Sequence, residues 1–340
     1  MKRKEFLTSV VPLAAAVTSV AKGKSINDPD TKAKVPFYLK EGDVIGITCP
    51  SGAITAEEIQ PAVNKMKEWG FDIRVGGTVG LKDFTFAGND EQRAKDFQQM
   101  LDDDSIDAIM LGRGGYGAVR IIDAIDFTKF RKKPKWIIGF SDATVFHSHI
   151  NSRFKIATIH SKMCNSFPDD WVTATQQQID SINSIQKCLS GETMEYTAPC
   201  NSNNRIGNAK GVLVGGNLSI LQNVAATKSE IDTVNKILFI EDTEEYLYSI
   251  DRMLWNLKRS NKLSKLKGLI VGAFTDIKPD DPGEEFGKTV YEMVMEKVKE
   301  YNYPVCFDFP VGHQKENYAL KCGVMHELKV EDDGVLLKSY

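Results

Sequence analysis

From Gly42 onward, short apolar runs alternate with stretches of helical period, and this alternation constrains the chain more than any other feature. Residues 44–49, 71–75, 106–111 and 136–140 read as strands. Helical patterns at 59–69, 89–101, 118–125 and 143–150 follow them in turn. This βαβα order predicts a parallel sheet with helices on both faces. Residues 165–205 break the pattern. They are polar, carry Gln176-Gln177-Gln178 on a helix, and read as a connection. A second unit begins near Ile206, with strands at 211–214, 237–240, 268–274 and 305–309, helices at 218–225, 248–258 and 290–299, and a β-hairpin at 326–338. A length of 340 residues favours two domains. The expected fold is α/β: an N-terminal parallel-sheet domain of Rossmann or flavodoxin-like type (37–165), an interdomain connection (166–205) and a C-terminal mixed α/β domain (206–340).

The N-terminus carries a different message. Lys2, Arg3 and Lys4 precede an apolar stretch from Phe6 to about Val20, and Ser19-Val20-Ala21 supplies the small residues of a cleavage site. This layout predicts a secretory signal peptide over residues 1–21 and a polar linker over 22–36. The competing reading is an amphipathic first helix of the mature fold. Arg3-Lys4 resembles a twin-arginine signal with lysine in second place, so the expected route is Sec or an atypical Tat route. The expected location is the periplasm, and no later apolar run approaches the length of a membrane span. The formal net charge of −3, without long like-charge blocks, lacks the basic footprint of a nucleic-acid binder. Six cysteines form no C-x-x-C pair, which argues against zinc. Cys49 and Cys306 lie in apolar runs and read as buried thiols.

The sharpest chemical signal is Trp136-Ile137-Ile138-Gly139-Phe140-Ser141-Asp142-Ala143. A strand runs into a serine and straight on into a helix, as in a nucleophile elbow, although Ala143 stands where the usual pattern has a second glycine. Such a turn lifts the hydroxyl out of the sheet and sets the Asp142 N–H where it can stabilise an oxyanion. The bland alternative is that Ser141 caps the helix. Among five histidines, His147 and His149 lie two apart on one helix and read as ordinary helix residues. His160 ends a strand and reads as structural, and His326 is expected to be exposed near the final hairpin. His313 follows a strand through Pro310-Val311-Gly312, and a loop after a strand's carboxyl end is where open α/β sheets place their sites. Glu241 is the first polar residue after Ile237-Leu238-Phe239-Ile240. It can orient an imidazole, or it can cap the next helix. Gly112-Arg113-Gly114-Gly115-Tyr116-Gly117 matches G-x-G-x-x-G. That is a dinucleotide fingerprint with Asp142 as the ribose acid, or else a loop whose backbone N–H serves a neighbouring nucleophile.

Taken in order, these motifs resemble those of the LD-carboxypeptidase family, the muramoyltetrapeptide carboxypeptidases and microcin-immunity peptidases. The resemblance rests on residues 42–52 and 113–117, Ile138 to Thr144, Gly215-Gly216-Asn217-Leu218-Ser219, Phe239 to Asp242 with 246–254 behind it, and Gly312-His313 with Asn317. It implies a serine carboxypeptidase cleaving between an L-centred diamino acid and a terminal D-alanine of murein peptides, through an acyl-enzyme. It further implies Ser141 as nucleophile, His313 as base and acid, Glu241 as its orienter, and the N–H groups of Asp142 and Gly115 as oxyanion hole. No cofactor or metal is implied, and a homodimer is. The chain departs from the family's His-Gly-Pro with His160-Ser161-Lys162. The alternatives are a peptidase acting on a peptidyl-nucleotide or another amide, a catalytically silent periplasmic binding protein, and a nicotinamide protein.

Overall fold

The computed structural model describes residues 33–340; the segment expected to be a signal peptide and most of the expected linker fall outside the described residues. The first sheet is built from β1 (Val44–Thr48), β2 (Asp72–Val75), β3 (Ala108–Leu111), β4 (Trp136–Gly139) and β5 (Thr158–His160). These lie in the order β2-β1-β3-β4-β5, all parallel. Crossovers are made by α1 (Ala56–Glu68), α2 (Asp90–Asp102), the short α3 (Ala118–Ile121) and α4 (Thr128–Lys132), and α5 (Thr144–Phe154). A parallel sheet needs such crossovers, which is why the sequence alternates as it does. Capping boxes start α1 at Thr55/Glu58 and α2 at Asn89/Gln92, satisfying backbone N–H groups that a helix start leaves free.

After α6 (Gln176–Ser190) come β6 (Glu195–Ala198), β7 (Gly207–Asn217), α7 (Leu218–Asn223), β8 (Lys236–Thr243), α8 (Leu247–Arg259) and β9 (Gly268–Thr275). Then follow α9 (Val290–Val298), β10 (Val305–Cys306), β11 (Leu320–Cys322), β12 (Met325–Glu331) and β13 (Gly334–Ser339). The second sheet has the order β10-β9-β8-β7-β12-β13-β6. It is parallel from β10 to β7 and antiparallel from β7 to β6. The run at 305–309 is therefore a strand only over its first two residues. β11 does not join its neighbours in sequence. It crosses to the first sheet and pairs antiparallel with β5, Leu320 opposite His160.

The central parallel strands β1, β3, β4, β8 and β9 are apolar runs because they are buried on both faces. In β4, Trp136 and Ile138 join Phe239 and Ile270 in a core shared with the second sheet, while Ile137 turns to a separate core with Phe97 and Phe146. The same division holds in β8: Ile237 and Phe239 face the shared core, and Leu238 and Ile240 pack under α8. α8 presents Ile250, Met253, Leu254 and Leu257 to that layer, the spacing of a single helix face. α6 is also packed. Its Ile182, Ile185 and Leu189 enter the shared core, and its Ser181 and Ser184 hydroxyls accept the backbone N–H groups of Asn317 and Ala319.

Candidate active site

In the first sheet β1 lies between the edge strand β2 and β3, so chain direction around the sheet reverses between β1 and β3. Open α/β sheets hold ligands in the crevice beyond the strand ends at such a point. The loops leaving β1 and β3 meet there, the Gly52 N–H donating to the Gly114 carbonyl at 3.0 Å. The next strand along, β4, delivers Ser141 beside them. A Cβ built on Gly114 would lie 3.1 Å from Ser141 Cβ and 3.2 Å from its Oγ. Glycine lets the loop approach the hydroxyl without crowding it.

Ser141 has φ +61°, a left-handed conformation that costs a non-glycine residue about 1–2 kcal/mol. It does not cap α5: the cap position is Ala143, and no side chain caps that end. Asp142, directly after it, is buried, and its Oδ2 accepts from Ser51 Oγ at 2.5 Å and from the Ala118 N–H at 2.8 Å. One carboxylate thus ties the serine turn to the β1 loop and to the start of α3. It is spent inside the protein and does not serve as a ribose acid. The clamp escapes a reading of local sequence. Its signal is Pro50-Ser51-Gly52 at the end of β1, a small polar residue at a strand's carboxyl end.

The second sheet supplies the other two groups. Glu241 lies within β8 opposite Asn217 of β7 and is fully buried. It does not cap a helix: its Oε2 accepts from His313 Nδ1 at 2.6 Å. Burial pushes the His313 pKa down, but the hydrogen bond and charge of Glu241, with the charge of Asp242, outweigh burial and hold it above the ordinary value. Nδ1 is therefore a donor to the carboxylate and Nε2 is left to face a reactant. The loop bearing His313 is fixed from behind, since the Gly312 N–H donates to Asn317 Oδ1 at 2.9 Å. The ring lies 4.9 Å from that of Phe140, the residue preceding Ser141. Ser141 and His313 thus approach from two sheets and flank the same phenylalanine, without a hydrogen bond between them in this structure.

A cleft of about 490 Å³ opens at this junction, lined by Phe140, Lys162, His313, Gln314, Phe167 and Ile182 among others. Ser141 is beside it rather than on its wall. Lys162 was legible only as a departure from the family motif; its place directly after β5 is the signal that marks it as a cleft residue.

The remaining histidines are structural. His147 Nε2 bonds the Gly139 carbonyl at 2.8 Å, and burial holds its pKa at about 4. His149 meets Ser229 Oγ, and His160 meets Asn317 Oδ1 at 3.2 Å. His326, expected at the surface, is 2% exposed. Position 326 is the second residue of β12, an interior strand of the second sheet, where its Nδ1 bonds the Val324 carbonyl. Cys49 and Cys306 are buried thiols as expected.

Residues 45–161 match the LD-carboxypeptidase N-terminal domain and residues 210–328 the LD-carboxypeptidase C-terminal domain. A probable murein peptide carboxypeptidase of Bacillus subtilis is 30% identical over 311 residues, covering 89% of this chain and 94% of the relative. The crystal structure of muramoyltetrapeptide carboxypeptidase from Oxalobacter formigenes has a TM-score of 0.76 at 26% identity, covering 87% of this chain and 98% of that one. The microcin C7 self-immunity protein MccF shares the fold, with a TM-score of 0.78 at 22% identity over 91% of this chain and 99% of its own. Matched in both halves, and aligned with a relative along nearly all of that relative's length, the chain belongs to the LD-carboxypeptidase family of serine carboxypeptidases.

Proposed function

We propose that this enzyme removes the terminal D-alanine from murein tetrapeptides, by the triad Ser141, His313 and Glu241. The observation that carries the reading is the 2.6 Å bond that a His313 bordering the cleft donates to a buried Glu241, with a left-handed serine at the adjoining strand end. The names of the relatives supply the substrate class.

Ser141 Oγ attacks the carbonyl carbon of the bond between the L-centred diamino acid and D-alanine, and His313 Nε2 takes its proton. The tetrahedral oxyanion is met by the N–H groups of Asp142 and Gly115. As the C–N bond breaks, the imidazolium returns the proton to the leaving amine. Water then attacks the acyl-serine with His313 as base, releasing the tripeptide and restoring Ser141. Glu241 accepts the hydrogen bond from Nδ1 and so holds the imidazole in the tautomer the first step needs. For Ser141 and His313 to touch, a side-chain rotation of the serine or a small closure of the His313 loop is required, and catalytic hydrogen bonds commonly tighten only on substrate binding.

The basic and then apolar pattern of residues 2–20 supports export, so the proposed site of action is the periplasm; the family resemblance supports a homodimer. Mass spectrometry of muropeptide digests tests the reaction. Wild-type protein should convert tetrapeptide to tripeptide plus D-alanine, and Ser141→Ala should not. No release by the wild type, with cleavage of a peptidyl-nucleotide instead, would move the enzyme to the immunity-type reaction.

A further inference from the structure

A carboxypeptidase differs from an endopeptidase in demanding a free carboxylate next to the bond it cuts. That carboxylate carbon is two bonds from the scissile nitrogen, about 2.5 Å away. The group that reads it must therefore sit within a side chain's reach of the imidazole that protonates the nitrogen. Two cations near the site lie on loops that the sequence singled out, Arg113 and Lys162. Arg113 is exposed, and its guanidinium donates to the Ala53 carbonyl at 3.2 Å. Lys162 is partly buried and lines the cleft with His313. Its ammonium lies 5.6 Å from the centre of the Phe140 ring, the ring that His313 also flanks at 4.9 Å.

The ammonium is under-used. It donates to the Gln314 carbonyl at 2.5 Å. Among the described residues no carboxylate comes within 4.0 Å of it. An ammonium has three donors, and a desolvated cation calls for an anion. Burial pulls the lysine down to about 8, against the opposing pull of Glu241 and Glu316, so it still carries its proton at neutral pH. The other charged residues lining the cleft, Asp169 and Lys315, are exposed.

We propose that Lys162 binds the free carboxylate of the residue being released, and that this contact beside His313 and Phe140 confines the enzyme to chain ends. The inference rests on the reading of the site as a murein carboxypeptidase and adds the residue that decides what that site accepts. A second carboxylate, on the side chain of diaminopimelate, has the same chemistry, and the experiment separates the two.

The test compares kcat/KM for a lysine-type tetrapeptide, which has no side-chain carboxylate at the diamino acid, with that for its C-terminal carboxamide. Wild-type enzyme should prefer the acid by about 100-fold, the scale of a buried charge-assisted contact, with most of the difference in KM. Lys162→Met should bring the two substrates toward parity, and Lys162→Arg should restore part of the preference. A Met variant that keeps the preference, or that loses acid and amide in equal proportion, overturns the proposal. So does a loss confined to diaminopimelate peptides, which would give the ammonium to the side-chain carboxylate. Calorimetry on Ser141→Ala, with and without Lys162→Met, reads the same contact without turnover. Tighter binding of the acid that disappears with Lys162→Met supports the assignment, and equal binding of acid and amide to the Ser141→Ala protein refutes it. Absence of turnover by the wild type would count against the reaction, while the binding difference still decides the role of Lys162.

Discussion

A Cβ placed on Gly312 would lie 2.6 Å from Glu241 Cβ, because the backbone that carries His313 runs directly against the strand that carries its carboxylate. Gly312 also has φ +109°, which a side chain tolerates poorly. Gly312→Ala should therefore cost about 2–4 kcal/mol of stability, strain and overpacking together. It should also lower activity at least tenfold by displacing the imidazole. Urea unfolding and D-alanine release measure the two effects, and a variant as stable and active as wild type would contradict the packing described.

The strain at Ser141 yields a second expectation. Ser141→Ala keeps the Cβ that is unfavourable at φ +61°, whereas Ser141→Gly removes it. Both should be inactive, but the glycine variant should be more stable than the alanine variant by about 1 kcal/mol. A glycine variant less stable than the alanine variant would argue that the turn is not under strain.

The His313–Glu241 pair predicts the form of the pH profile. The base must be neutral, and its pKa lies above the ordinary 6.5. kcat/KM should therefore fall as pH drops through a midpoint above that value, and a flat rate from about pH 5 to 8 would count against the role. Glu241→Gln can keep a hydrogen bond but removes the charge that favours the imidazolium. Its kcat/KM should drop by about 10²–10⁴, and its acid limb should move to lower pH. A drop without that shift would remove Glu241 as the group setting the His313 pKa.

Thiol labelling tests the packing of the cores. Five of the six cysteines are buried, and Cys200 is exposed. Burial pushes Cys49, Cys188 and Cys322 up to about 12, and Cys164 and Cys306 are also raised. Since the thiolate is the reactive species, native protein at pH 8 should react rapidly at one thiol and unfolded protein at six. Several fast-reacting thiols in the native state would show that the cores open.

The strands, the helices and their alternation were legible because burial on both faces leaves a continuous apolar run, and a crossover helix leaves a 3.6-residue period. Both are local marks. Ser141 and Glu241 were each ambiguous locally, since a polar residue at a strand end can cap a helix as well as serve a site. In the tertiary structure neither caps a helix: Ser141 holds φ +61°, and Glu241 accepts a hydrogen bond from His313 Nδ1. His326 misled because a residue at the open end of a hairpin is exposed only if its strand lies at a sheet edge, and β12 is flanked by β7 and β13.

What the amino-acid order determined by itself was the α/β class, the placing of Ser141 directly after a strand and Glu241 on one, and the family. What only the tertiary structure decided was which of them share space. β11 crosses to the first sheet, Asp142 turns inward to Ser51, and Lys162 arrives beside His313. Periodicity records how each segment meets its own neighbours along the chain. The meeting of residues 72 positions apart, as at Glu241 and His313, depends on the strand order of the second sheet and on the path of the loop after β10, and no local pattern encodes that.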